Sequence, residues 1–211
     1  MRISIHQVGP FYVNCYVVSD EGTGETVVID PGGVSEELLE QLDKIGAERI
    51  KYILLTHMHF DHILGLEDVA RTWGIDVWVH PLDREQMVHS GQWCAQLGLT
   101  FKPFTGQMHD LSDGQTLSFG ESSFEVLATP GHTQGGVCFY SSEAAVLFSG
   151  DTLFAGSIGR TDHPGGDYDQ LIHSILNKIL PLDGDVTVLP GHGPATSVGY
   201  ERATNPFLQP A

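Results

Sequence analysis

Thr56-His57-Met58-His59-Phe60-Asp61-His62 follows the apolar run from Ile50 to Leu55, and after it Ile63, Leu66, Ala70 and Trp73 recur as one helical face. The stretch reads as strand, tight turn and helix, with three imidazoles and a carboxylate packed into the turn. Such groups ligate zinc, iron or manganese. This turn therefore decides both the fold class and the chemistry.

The same arrangement recurs down the chain. Phe124 to Ala128 leads into Thr129-Pro130-Gly131-His132, Ala144 to Phe148 into Ser149-Gly150-Asp151, and Val186 to Leu189 into Pro190-Gly191-His192. Short β-branched strands thus end in Gly/Pro turns that carry a histidine or an aspartate. Seven ligand-type residues, His57, His59, Asp61, His62, His132, Asp151 and His192, exceed what one ion needs. Two ions roughly 3.5 Å apart, sharing a carboxylate and a hydroxide, would use them all.

Between these turns the periodicity alternates between strand and helix. Ser35, with Glu36 and Glu37, caps a helix whose face is Leu38, Leu39, Leu42 and Ile45 and which Gly46 stops. Asp167, with Gln170 three residues on, starts another that buries Leu171, Ile172, Ile175, Leu176 and Ile179. Phe11 to Val18 and Thr26 to Ile29 have little helix between them and predict antiparallel pairing. The expected architecture is α/β, with two mixed sheets packed together and helices outside, in one domain spanning residues 1–211. Asp83 to Asp113 is the least regular segment and is expected to overhang the site as a lid.

Composition narrows the function. Lys and Arg number 10 against 27 Asp and Glu, a formal net charge of -17. That balance argues against a sequence-independent grip on nucleic acid, which needs cations on phosphates. No apolar run approaches the roughly 20 residues of a membrane span. The opening segment, with Arg2, His6, Gln7 and Pro10, has no apolar core of a signal peptide, so a cytoplasmic location is expected. The three cysteines, Cys15, Cys94 and Cys138, show no CxxC or zinc-ribbon spacing, so neither a disulfide framework nor a thiolate-rich structural zinc is expected. His6, His80, His89, His109, His163 and His173 lie outside the motifs and read as surface or structural residues. Trp73, Trp78 and Trp93 read as packing residues.

Thr56 to His62, Pro130-Gly131-His132, Gly150-Asp151 and Pro190-Gly191-His192-Gly193-Pro194 resemble, in order and across nearly the whole chain, the motifs of the metallo-β-lactamase superfamily. The resemblance implies an αββα four-layer sandwich. Ser149 to Phe154, followed by Gly159-Arg160-Thr161-Asp162, is similar to the hydroxyacylglutathione hydrolase (glyoxalase II) branch. With the closing Glu201-Arg202 and Asn205-Pro206-Phe207, it looks like that branch's short members. With its last residue at Ala211, the chain is expected to lack the extra helical domain that supplies much of the glutathione pocket in the longer enzymes.

The resemblance implies that His57, His59 and His132 hold one metal and Asp61, His62 and His192 a second, with Asp151 bridging them. Zinc is the expected metal, with iron or manganese as alternatives. The implied reaction is hydrolysis of a small-molecule thioester, such as S-lactoylglutathione, by a metal-bridging hydroxide that Asp61 also orients. Arg160 stands where the family carries a basic residue that meets the glutathione moiety, and it has Asp162 as an alternative local partner. Two other activities share these motifs. One is a persulfide dioxygenase with a single iron on His57, His132 and Asp151. The other is a lactonase or β-lactamase.

Overall fold

Val13 to Ser19 and Thr26 to Ile29 are dominated by β-branched residues and buried at every position, the pattern of strands covered on both faces. In the computed structural model, which describes residues 1–209, they lie inside a six-stranded sheet. Its strands run in chain order: β1 (Arg2–Val8), β2 (Val13–Ser19), β3 (Thr26–Ile29), β4 (Ile50–Leu54), β5 (Val77–Val79) and β6 (Met108–Asp110). Strands β2 and β3 pair antiparallel as expected, β1 adds to β2 antiparallel as well, and β3 to β6 are parallel, so the sheet is mixed. Strand β1 was not legible from the sequence. It is a half-exposed edge strand whose polar residues interrupt the apolar alternation.

The helices of this part are α1 (Glu36–Ile45), α2 (Phe60–Ile63), α3 (Leu66–Trp73) and α4 (Gln86–Gln96). Ser35 caps α1, its hydroxyl accepting from Leu38 N at 3.2 Å, and Leu38 and Leu42 enter a core with Val17, Val28, Ile53 and Val69. The single helix read after His62 is two, broken at Gly65. The Gly65 N–H donates to Pro31 O at 2.9 Å, and a Cβ there would stand 2.5 Å from Gly33 O, so the chain leaves helical spacing to pass close to its neighbour. The segment from 83 to 113, expected to be irregular, contains the eleven-residue α4. Its buried positions, Gln86, Ser90 and Cys94, are mostly polar and so mark no apolar face in the sequence.

A second six-stranded sheet has the order β14-β13-β10-β9-β8-β7, where β7 is Thr116–Phe119, β8 Ser122–Ala128, β9 Val137–Ser141, β10 Val146–Gly150, β13 Thr187–Pro190 and β14 Thr196–Ser197. It too is mixed, since β10 and β13 run parallel while β8–β9, β9–β10 and β13–β14 are antiparallel. A small hairpin, β11 (Leu153–Phe154) and β12 (Ser157–Ile158), follows β10. Helix α5 (Tyr168–Ser174) starts at Asp167, whose side chain accepts from Gln170 N, and it runs into a π turn at Ile175–Ile179. Leu171, Ile175 and Ile179 form its buried stripe against Leu147 and Val188. Leu176, expected inside, is 45% exposed, because it lies one residue, or about 100° of helix, off that stripe. Helix α6 (Val198–Thr204) closes the described chain.

By contacts the chain divides into two compact units, residues 1–111 with 118–122, and residues 112–117 with 123–211. Among the described residues no helix is long and apolar enough to cross a membrane.

All three cysteines are buried as free thiols. Burial pushes the Cys138 thiol up to about 11, and burial with the nearby Asp30 charge pushes Cys15 higher still. Native protein at pH 8 is therefore expected to resist iodoacetamide at all three positions and to take up three equivalents once denatured. Rapid labelling of the native chain, read by mass spectrometry, would contradict this packing.

Candidate metal centre

In the first unit the ligand-type residues sit where β3 and β4 end. Asp30 follows β3 in the left-handed region at φ 50°, a conformation that an aspartate tolerates better than most residues. Its buried carboxylate accepts from Thr56 N at 2.8 Å, from Thr56 Oγ1 at 2.5 Å and from His62 Nδ1 at 2.9 Å. Because the Thr56 hydroxyl donates to Asp30, its oxygen accepts from His57 Nδ1, 3.1 Å away. One carboxylate thus fixes the tautomer of two histidines and leaves the Nε2 lone pair of each for a cation.

The three imidazoles pack closely. His57 and His59 lie 4.8 Å apart between ring centroids, nearly perpendicular, and His57 and His62 lie 4.1 Å apart. Ligand atoms of Asp30, His57 and His62 fall within 4.8 Å of one another. The turn is braced from outside as well: Met58 N donates to Asp83 Oδ2 at 2.7 Å, and Ser90 on α4 donates to Met58 O at 2.7 Å. Gly32 lets the chain pass under the Asp61 carbonyl, since a Cβ there would come within 2.0 Å of that oxygen.

In the second unit His132, Asp151 and His192 converge. His132 Nδ1 donates to the Arg160 carbonyl at 2.7 Å, which again leaves Nε2 as the lone-pair nitrogen. His132 Nε2 and His192 Nε2 each stand 3.7 Å from Asp151 Oδ2. That is too long for a hydrogen bond. It is close to the separation of about 3.4 Å between two donors on one tetrahedral ion with bonds of about 2.05 Å. A nitrogen- and oxygen-donor set of this spacing, with His132 Nδ1 already engaged, fits a divalent metal.

The loop from 156 to 160 carries this group of residues. A Cβ on Gly159 would lie 1.9 Å from Asp151 O, so only glycine seats the aspartate turn. Glu201, fully buried on α6, accepts from Gly156 N at 2.9 Å, Thr196 Oγ1 at 2.6 Å and Asn205 Nδ2 at 2.8 Å, and Asn205 also donates to Ser157 O at 3.0 Å. Arg160 itself makes a two-pronged ion pair with Asp162, Nε to Oδ1 and Nη2 to Oδ2, both at 2.8 Å. That contact holds the Asp162 carboxyl well below the usual range. Local pairing is the contact this arginine makes.

Asp30, Asp83 and Glu201 are the supports that sequence reasoning missed. Asp30 carried a readable signal, an aspartate before Pro31-Gly32-Gly33 at the end of a buried strand, the same strand-end pattern as Asp151. Asp83 carried none. Outside the motifs His6 meets Gln41, His80 caps the turn at Leu82, and His109 stacks on Trp78 and pairs with Asp76, whereas the His163 ring lies edge-on to His132 at 6.3 Å between centroids.

The chain belongs to the metallo-β-lactamase superfamily, whose sequence model matches residues 8–192. It is 36% identical to hydroxyacylglutathione hydrolase GloC of Haemophilus influenzae over 99% of this chain and 98% of that one. Among solved structures, it is similar to the di-iron-bound form of TTHA1623, with a TM-score of 0.87 and 40% identity over 97% of this chain and 100% of that one. The BLEG-1 B3 metallo-beta-lactamase gives a TM-score of 0.86 and 39% identity, over 99% and 100%. The αββα fold expected from the sequence is the fold of this family, and with it come a hydrolase class and a His/Asp metal-binding site.

Asp30→Asn is expected to weaken zinc affinity about 10- to 100-fold, in the range seen when a carboxylate supporting a ligand histidine is lost. A competitive chelator titration checks this, and an unchanged affinity would remove Asp30 from its role. Glu201→Ala strands several buried donors and is expected to cost roughly 3 kcal/mol, or about 6–12 °C in Tm for a chain of this size. Differential scanning calorimetry reads it directly.

Proposed function

We propose that the chain is a metal-dependent thioester hydrolase that cleaves S-lactoylglutathione or a related hydroxyacylglutathione to the hydroxy acid and glutathione. The observation that carries this reading is the full set of ligand-type residues, in family order, in a chain aligned nearly end to end with a hydroxyacylglutathione hydrolase. His57, His59 and His132 would hold one metal and Asp61, His62 and His192 the other, with Asp151 shared. Each unit carries only part of this set, so we infer that residues 1–211 work as one domain. Zinc is the favoured metal, and the iron in TTHA1623 supports iron as an alternative.

When bound, such metals lower the pKa of a coordinated water toward neutrality and polarise a carbonyl. The chain's own residues do the rest. Asp30 and the Arg160 carbonyl keep His57, His62 and His132 as lone-pair ligands. Asp61 orients the attacking water. The leaving thiolate needs no proton, so the reaction requires no general acid from the protein. Arg160 has Nη1 left over from its pairing with Asp162, and that edge is offered to a carboxylate of the glutathione moiety. The overall acidity leaves nucleic acid and membrane surfaces outside the substrate class.

His59→Ala is expected to lower the metal content of zinc-loaded protein and remove most S-lactoylglutathione hydrolysis. Full metal content with full activity would sink the ligand assignment. Arg160→Ala should raise KM several-fold while leaving kcat little changed, and an unaltered KM would confine this arginine to its Asp162 contact. The rival activities are separated by offering the iron-loaded protein glutathione persulfide in an oxygen electrode, and the zinc-loaded protein a lactone and a β-lactam. Oxygen uptake, or ring opening faster than thioester cleavage, would overturn the proposal.

A further inference from the structure

Acids outnumber Lys and Arg in this chain by 27 to 10, so a group of cations gathered where no carboxylate lines the surface is out of the ordinary. Six of the ten sit on a carboxylate, and Arg202 donates to the carbonyls of Leu180 and Leu182. Among the described residues Arg2, Arg49 and Arg71 have no side-chain hydrogen bond or ion pair. Two of these three, Arg2 and Arg49, line the same cavity of about 400 Å³ together with Lys44, and no carboxylate belongs to its lining. Lys44 reaches Glu40 one helical turn back, an exposed contact at 3.1 Å that a stronger acceptor can displace.

The cavity is built from regular elements. Arg2 stands opposite Ser19 in the β1–β2 register, and Lys44 and Ile45 come from the last turn of α1. Gly24 leaves room for Arg49, whose guanidinium would be only 3.3 Å from a Cβ at that glycine. Gln41 Nε2 donates to Ser4 Oγ at 3.1 Å, so the Ser4 hydroxyl keeps its own hydrogen to give. Ser19 pairs with Thr26 at the start of β3, whereas Asp30 follows its end. Four residues at roughly 3.3 Å each put the cavity about 13 Å from the ligand-bearing end of that strand.

We propose that this cavity is a second binding site, separate from the metal centre, for a small anion that carries phosphate as a monoester or diphosphate. Arginine forks match phosphate oxygens in a bidentate manner, and a lysine and a hydroxyl add point donors. The lining has no aromatic side chain to stack a base or ring, so recognition is of the charged group. Repulsion from a body at -17 grows with the charge and the extent of an anion, so it weighs most against nucleic acid and anionic bilayers and least against a compact soluble ligand that meets only this cationic patch.

The test is a titration of inorganic phosphate into the zinc-loaded protein, followed by amide NMR at Ser4, Gly24 and Ile45 and, separately, at Asp30 and Met58. Saturable shifts are expected at the first group, weakened at least tenfold in Arg2→Gln/Arg49→Gln and unchanged in Arg71→Gln, whose arginine is equally unpaired but lies elsewhere. Thioester hydrolysis is expected to stay at the wild-type rate in the double variant. Shifts confined to Asp30 and Met58, or equal affinity in the double variant, would overturn the site. Capture of the protein by phosphatidylglycerol vesicles without saturable phosphate binding would assign the cavity to a lipid surface and equally overturn the proposal.

Discussion

The buried carboxylate of Asp30 is the constraint on which the arrangement of the first unit's histidines depends. It sits between the ends of two neighbouring parallel strands and ties both to the ligand turn, through Thr56 to His57 and directly to His62. A buried carboxylate is tolerable only when its acceptor capacity is filled, and here the groups that fill it are the ones that must be oriented. Its left-handed backbone is local strain at a functional position, held by the surrounding hydrogen bonds.

The second unit solves the same problem with backbone groups. His132 is fixed by a peptide carbonyl, and that peptide belongs to a loop held through Gly156 and Ser157 by Glu201 and Asn205. In both units the ligand-bearing turn is therefore backed by a buried acid on another element: Asp30 with Asp83 in the first, Glu201 in the second. Ligand side chains on flexible turns would lose affinity to ordering entropy. Bracing the turns in the folded chain removes that cost before a cation arrives.

Much of this was legible in the sequence because ligand chemistry is local. Histidines and aspartates at strand ends, clustered from His57 to His62 or beside a glycine as at His132, Asp151 and His192, declare themselves within a few residues, and so did the helix caps at Ser35 and Asp167. What escaped was nonlocal or compensated. Asp83 braces Met58 across 25 residues with no motif of its own. Strand β1 hides behind polar residues on an exposed edge. Leu176 looked buried because helical spacing cannot tell the centre of a stripe from its margin. The break at Gly65 depends on the close approach of Gly33, a contact visible only in three dimensions.

We propose that seven side chains, on turns following different strands, form one two-metal centre that serves hydrolysis. Anomalous diffraction at the zinc edge, on crystals of the zinc-loaded protein, tests it most directly. Two peaks per chain are expected, one against His57, His59 and His132 and one against Asp61, His62 and His192, with Asp151 touching both. A single peak bounded by His57, His132 and Asp151 would contradict it.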